Sequence, residues 1–117
     1  MRDEQAFLRD IVESARMVQR FVSGKTFDDF QNDSLLQEGV LRRLGIIGEA
    51  ASKIPPETLA KIDGPPWKLI IRMRNVLAHI YFGVDLKIAW DTANTDMAPL
   101  ILAVESHLSS NSTGSSS

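Results

Sequence analysis

Between Trp67 and Tyr81 the chain gathers the residue types that phosphate and proton chemistry require. They are the cations Lys68, Arg72 and Arg74, the amide Asn75, the imidazole His79 and the phenol Tyr81. Projected on an ideal helix, the segment from Trp67 to Ile80 separates into an apolar face of Leu69, Ile70, Met73, Val76, Leu77 and Ile80 and a polar stripe. The stripe is Lys68, Arg72, Asn75 and His79, which recur at i, i+4, i+7 and i+11 and fall within about 60° of arc. Arg74 and Tyr81 form a second pair seven residues apart. Such a ridge can hold an anionic phosphate, and an imidazole titrating near neutral pH can move a proton beside it. The plainer reading of the same pattern is the solvated side of an amphipathic helix, with His79 a satisfied, half-buried histidine.

The run Arg74-Asn75-Val76-Leu77-Ala78-His79-Ile80-Tyr81 has the form R-N-x-x-x-H-x-Y. With it the sequence resembles the HepT-like proteins of the HEPN superfamily, toxins of bacterial toxin–antitoxin pairs. Flanking matches are Ile46-Ile47-Gly48-Glu49-Ala50-Ala51 ahead of a proline, Pro65-Pro66-Trp67 with Ile70, and Val84-Asp85 with Trp90. The resemblance runs from residue 3 to residue 108.

Short connections between long amphipathic helices favour an all-α, antiparallel up-and-down bundle of roughly four to five helices, and the resemblance implies a helical fold paired as a homodimer. It further implies a metal-independent endoribonuclease, with RNA as substrate and no cofactor, neutralised by a cognate nucleotidyltransferase antitoxin in a type VII-like system. Carried over by motif, Arg74 and His79 are the catalytic pair and Asn75 supports them. Arg72 and Lys68 are supporting or RNA-binding cations, and Tyr81 is the acceptor for AMP transferred by the antitoxin. An alternative is a non-catalytic helical partner that serves its nucleotidyltransferase mainly as AMP acceptor.

The implied chemistry is coherent. Cutting RNA without a metal needs a base for the 2′-OH, a proton for the leaving 5′-oxygen and positive charge on the phosphorane. With two subunits facing, one His79 can act as base and its symmetry mate as acid, while the arginines clamp the phosphate. AMP on Tyr81 would add bulk and negative charge to a cationic cleft and exclude RNA. One tension remains, because on an ideal helix Arg74 and His79 stand about 140° apart around the axis. Either the helix loosens between Ala78 and Gly83, or the productive Arg–His pair forms across the dimer.

The elements that must position this segment are helical by periodicity. Phe7, Ile11, Ala15, Val18 and Val22 form one stripe and predict a helix from Asp3 to Val22, stopped by Ser23-Gly24. A polar loop or short turn with Phe27 and Phe30 follows, and Asn32 or Asp33 caps a second long helix reaching Ile54 before Pro55-Pro56. Its stripe is Leu36, Val40, Leu44, Ile47 and Ala51, while Gly39, Gly45 and Gly48 suggest close backbone approach. A helical turn is expected over Glu57 to Ile62, and Asp63-Gly64-Pro65-Pro66 then breaks the chain ahead of Trp67. A fourth helix should run from an Asp85 cap to Leu108 with a kink at Pro99, followed by a disordered Ser/Gly tail over 109–117.

Composition bounds the partners. One domain of 117 residues without Cys excludes disulfides and thiolate metal sites. A formal charge of −2 argues against a broadly basic surface that coats nucleic acid, though not against a small basic site. The longest apolar run, Met97 to Val104, includes Pro99 and is far short of the ~18 residues of a membrane span, so no membrane partner is expected. The charged N-terminal stretch lacks a signal-peptide core, which points to the cytoplasm. Glu49 could orient Arg74 or His79 or serve structure alone. Trp67 and Trp90 read as core, and His107 reads as a solvated residue near a helix end with no metal implied.

Overall fold

The computed structural model describes residues 3–72 and 85–115, with side chains to residue 110. Among them every regular element is helical. The elements are α1 (Glu4–Val22), α2 (Phe27–Gln31), α3 (Ser34–Ser52), α4 (Pro56–Leu59), α5 (Trp67–Arg72), α6 (Leu86–Thr95) and α7 (Met97–Ser115). Helix α1 packs most extensively on α3 and next on α7, and α3 carries α5. The protein is thus an all-α bundle.

Local chemistry explains where the helices start. The N-terminal turn of a helix leaves backbone N–H groups without partners, and a short acidic side chain just ahead of it can accept from one. The Asp3 carboxylate accepts from Ala6 N–H at 2.8 Å, Asp33 from Leu36 N–H at 3.0 Å and Asp85 from Lys87 N–H at 3.2 Å. Helix α1 stops at Gly24, whose φ of 74° suits a residue without Cβ.

The expected loop between the first two long helices is itself helical over Phe27–Gln31. Thr26 and Asp29 form a reciprocal capping box, with each side chain accepting from the other's backbone N–H. This turn seats Phe30 at 0% exposure, its ring centroid 5.3 Å from that of Trp90, with Phe27 at 6.4 Å on the same indole. Both aromatics therefore act as core clamps between α2 and α6.

The single helix expected from Asp85 to Leu108 is two helices, because the chain turns at Asp96. Pro99 does not kink a continuous helix. It has no N–H to give the Thr95 carbonyl, so the first helix closes at Thr95 and Pro99 occupies the first turn of the next, where a missing donor costs nothing. The new helix opens with Leu100 N–H bonded to the Asp96 carbonyl at 3.2 Å. Helix α7 also continues to Ser115, past the boundary expected at residue 108, since an established helix gains one backbone bond for each residue added.

The core is one cluster: Leu8, Ile11, Ala15 and Val18 from α1, Val40, Leu44 and Ile47 from α3, Ile70 from α5, and Met97, Leu100 and Val104 from α7. The tight approach anticipated at Gly39 is present, since a Cβ there would stand 3.3 Å from the Phe21 ring. Gly45 and Gly48 are both buried within α3.

Candidate functional site

The site is approached through α5. Pro65 and Pro66 set its entry, and the Trp67 indole N–H donates to the Ile62 carbonyl at 3.0 Å, tying the helix start to the preceding turn. Ile70 is 1% exposed and Ile71 packs partly into the core, so Trp67, Ile70 and Ile71 recur at helical spacing and form the buried side. Lys68 and Arg72 lie on the opposite, exposed side, as the polar stripe predicts.

Leu69 does not follow the expectation. It was placed on the apolar face with Ile70, yet it is 58% exposed. On an ideal helix Lys68, Arg72 and Leu69 fall in that angular order across about 100° of arc, directly opposite the arc of Ile70, Trp67 and Ile71. The core lies under Trp67 and Ile70, and Leu69, about 130° round the helix from that direction, is turned to solvent.

Arg74, Asn75, His79 and Tyr81 lie outside the described residues, as do Met73, Val76, Leu77 and Ile80 of the expected apolar face. Of the expected site residues, the structure places Lys68 and Arg72, one helical turn apart on one ridge. Neither has an ion-pair partner among the described residues. In the sequence Arg72 is separated from Arg74 by Met73 alone.

Glu49, Trp67, Trp90 and His107 lie among the described residues. Glu49 is exposed and its carboxylate stands 3.5 Å from Lys53 Nζ, one turn along α3. Trp90 is buried and Trp67 half-buried, both as core. His107 is half-buried rather than fully solvated, because it lines a groove of about 690 Å³ between α7 and the Lys61–Gly64 turn. A buried polar contact that sequence reasoning missed joins α1 and α3: Arg43 donates to the hydroxyl of Ser14, which is 1% exposed, at 3.4 Å.

Among the described residues two carboxyl groups, neither a site candidate, are shifted from the ordinary range. The Thr26 backbone N–H and hydroxyl hold Asp29 below the usual carboxylate range, and burial pushes Asp96 above it. Among the described residues no group of three or more His, Asp or Glu could hold a metal ion. No helix among them is long and apolar enough to cross a membrane.

Comparison with known proteins gives these features a context. The family profile "Ribonuclease HepT-like" matches residues 11–107. A protein of Thermococcus cleftensis named "Probable ribonuclease HepT" is 37% identical over 99 residues, covering 85% of this chain and 90% of the relative. A "putative RNase" of Methanocaldococcus jannaschii is 38% identical over 104 residues, covering 89% of this chain and 95% of the relative. A longer protein of the same organism, "Gamma-glutamylcyclotransferase and putative RNase", is 38% identical over 99 residues, and the chain spans 45% of its length. No solved structure matches. A profile match over 11–107 that takes in α5 and the whole R-N-x-x-x-H-x-Y run, together with relatives aligned over most of both chains, makes this chain a member of the HepT-like ribonuclease family.

Proposed function

We propose that the chain is a metal-independent endoribonuclease, the toxin of a type VII-like toxin–antitoxin pair acting in the cytoplasm. Arg74 and His79 are its catalytic residues and Asn75 their polar support. The observation that carries this reading is the family match over residues 11–107, a range that includes 74–81. His79 takes the proton of the ribose 2′-OH as that oxygen attacks phosphorus, and an imidazolium returns a proton to the departing 5′-oxygen. Arg74 offsets the charge that builds on the phosphorane. A homodimer supplies two such histidines, so that one is base while the other is acid.

The antitoxin of this reading is a nucleotidyltransferase. The Tyr81 phenol oxygen attacks the α-phosphorus of ATP, pyrophosphate leaves, and the phenol proton passes to solvent. The product puts a phosphodiester anion and a nucleoside beside the cations that hold RNA, and both charge and bulk then exclude the substrate.

The test is cleavage of a labelled RNA in EDTA by the purified chain and by His79→Ala. Loss of general acid–base catalysis should cut the rate about 10²-fold or more. Cleavage by His79→Ala at the wild-type rate would overturn the assignment. Incubation with the nucleotidyltransferase and ATP should add one AMP that mass spectrometry maps to Tyr81 and that Tyr81→Phe abolishes.

A further inference from the structure

Four large apolar side chains are mostly exposed among the described residues: Leu35, Leu69, Ile88 and Leu102. Their helical neighbours differ in charge. Leu35 has Glu38 one turn ahead, Ile88 has Asp85 and Asp91, and Leu102 has Glu105. Leu69 has Lys68 beside it and Arg72 one turn ahead, while Pro65 and Pro66 occupy the turn behind, so no carboxylate shares its surroundings on the helix. An apolar surface beside two cations is complementary to a polyanion that also displays apolar faces, and single-stranded RNA is such a molecule.

We propose that Leu69 is a substrate-binding residue. It is an apolar wedge on the exposed ridge of α5 that receives an unpaired base while Lys68 and Arg72, beside it on that ridge, engage the neighbouring phosphates. The proposal rests on the ribonuclease reading above and gives that site a substrate class, single-stranded RNA. In a duplex the base faces are stacked away, so the apolar part of the contact is lost and only the phosphate part remains.

Charge favours this occupant at Lys68 and Arg72. RNA meets the same cations with opposite charge. In the sequence Arg72 stands two residues ahead of Arg74, where the motif begins.

The experiment uses the full chain and a fluorescent 2′-deoxy oligonucleotide, which lacks the attacking hydroxyl and so reports binding without cleavage. Leu69→Ala should weaken the single strand about tenfold and leave the dependence of log Kd on log salt unchanged. Lys68→Ala and Arg72→Ala should each lower that salt slope by about 0.7. Leu69→Trp should bind at least as tightly as wild type, since an indole offers a larger stacking face. On a duplex of the same sequence wild type and Leu69→Ala should bind alike.

Unchanged single-strand binding by Leu69→Ala, or an equal loss on the duplex, would sink the proposal while leaving His79-dependent cleavage intact. A change in the sedimentation mass of Leu69→Ala would also sink it, by assigning the residue to a protein contact. Failure of the wild type to bind any strand, with no cleavage of RNA, would instead remove the ribonuclease reading beneath it.

Discussion

Leu69 and Ile70 are neighbours on one short helix, and a helical projection of the sequence puts both on its apolar side. The structure separates them, with Leu69 58% exposed and Ile70 1% exposed. Truncating each to alanine turns that difference into a measurement. Ile70→Ala removes three buried carbon atoms, worth about 0.8 kcal/mol each as transferred hydrocarbon. The space left between α3 and α5 adds a cavity cost, and the total falls in the range of about 2–5 kcal/mol seen for such changes. For a domain of this size that lowers the melting temperature by about 10 °C or more. Leu69→Ala removes mostly solvated atoms and should cost less than about 1 kcal/mol. Urea unfolding followed by circular dichroism reads both variants, with equal m-values confirming that the comparison is sound. Equal destabilisation by the two substitutions would refute the assigned facing of α5, and with it the exposed ridge of Lys68, Leu69 and Arg72.

Two further outcomes follow from the caps and the helix break. Thr26→Ala removes half of the capping box and should cost about 1 kcal/mol at pH 7 by urea unfolding. Asp29 is held below the ordinary carboxylate range by Thr26, so its contribution is present above the unfolded-state pKa and lost as pH falls through the lowered folded value. Thr26→Ala should therefore show a shallower loss of stability between mildly and strongly acidic pH than wild type. Asp96 has the opposite sign, because burial raises its folded pKa and the ionised form is disfavoured in the fold. Its contribution is lost as pH rises through that raised value, so Asp96→Asn should be more stable than wild type at pH 7, with the advantage shrinking toward pH 4. A destabilised Asp96→Asn at neutral pH would show that the carboxylate is needed at the α6–α7 turn.

The parts of the fold legible in the sequence were those written in short-range chemistry. Asp3, Asp33 and Asp85 mark helix starts because a cap acts on the N–H groups two or three residues away, and all three caps form. The stripe of α1 reads correctly because a helix spanning Glu4–Val22 can present only one face to α3 and α7. The short α2 was readable in retrospect from Thr26 followed by Asp29, a capping box whose strength depends on nothing distant. The break at Asp96 was signalled by Pro99, but a proline inside a periodic run can kink a helix or end it. Here the helix closes at Thr95, with Trp90 packed against Phe27 and Phe30, while Met97 and Leu100 are buried beyond the turn.

For the candidate site the division is sharper. The residue types and order of Arg74, Asn75, His79 and Tyr81 are properties of the sequence, and the family match over them requires nothing else. The facing of the helix that leads to them is not. Over Trp67–Arg72 the apolar groups Trp67, Leu69, Ile70 and Ile71 fall on more than one side, so periodicity over these residues alone leaves their facing open. Packing chose the side of Ile70 and Trp67, where the core and the Ile62 carbonyl lie, and left Leu69 in water beside Lys68 and Arg72. Sequence determined which chemical groups the chain carries and where its helices begin. Tertiary structure decided which of those groups face outward, because burial depends on what lies across the bundle and not on the neighbours along the chain.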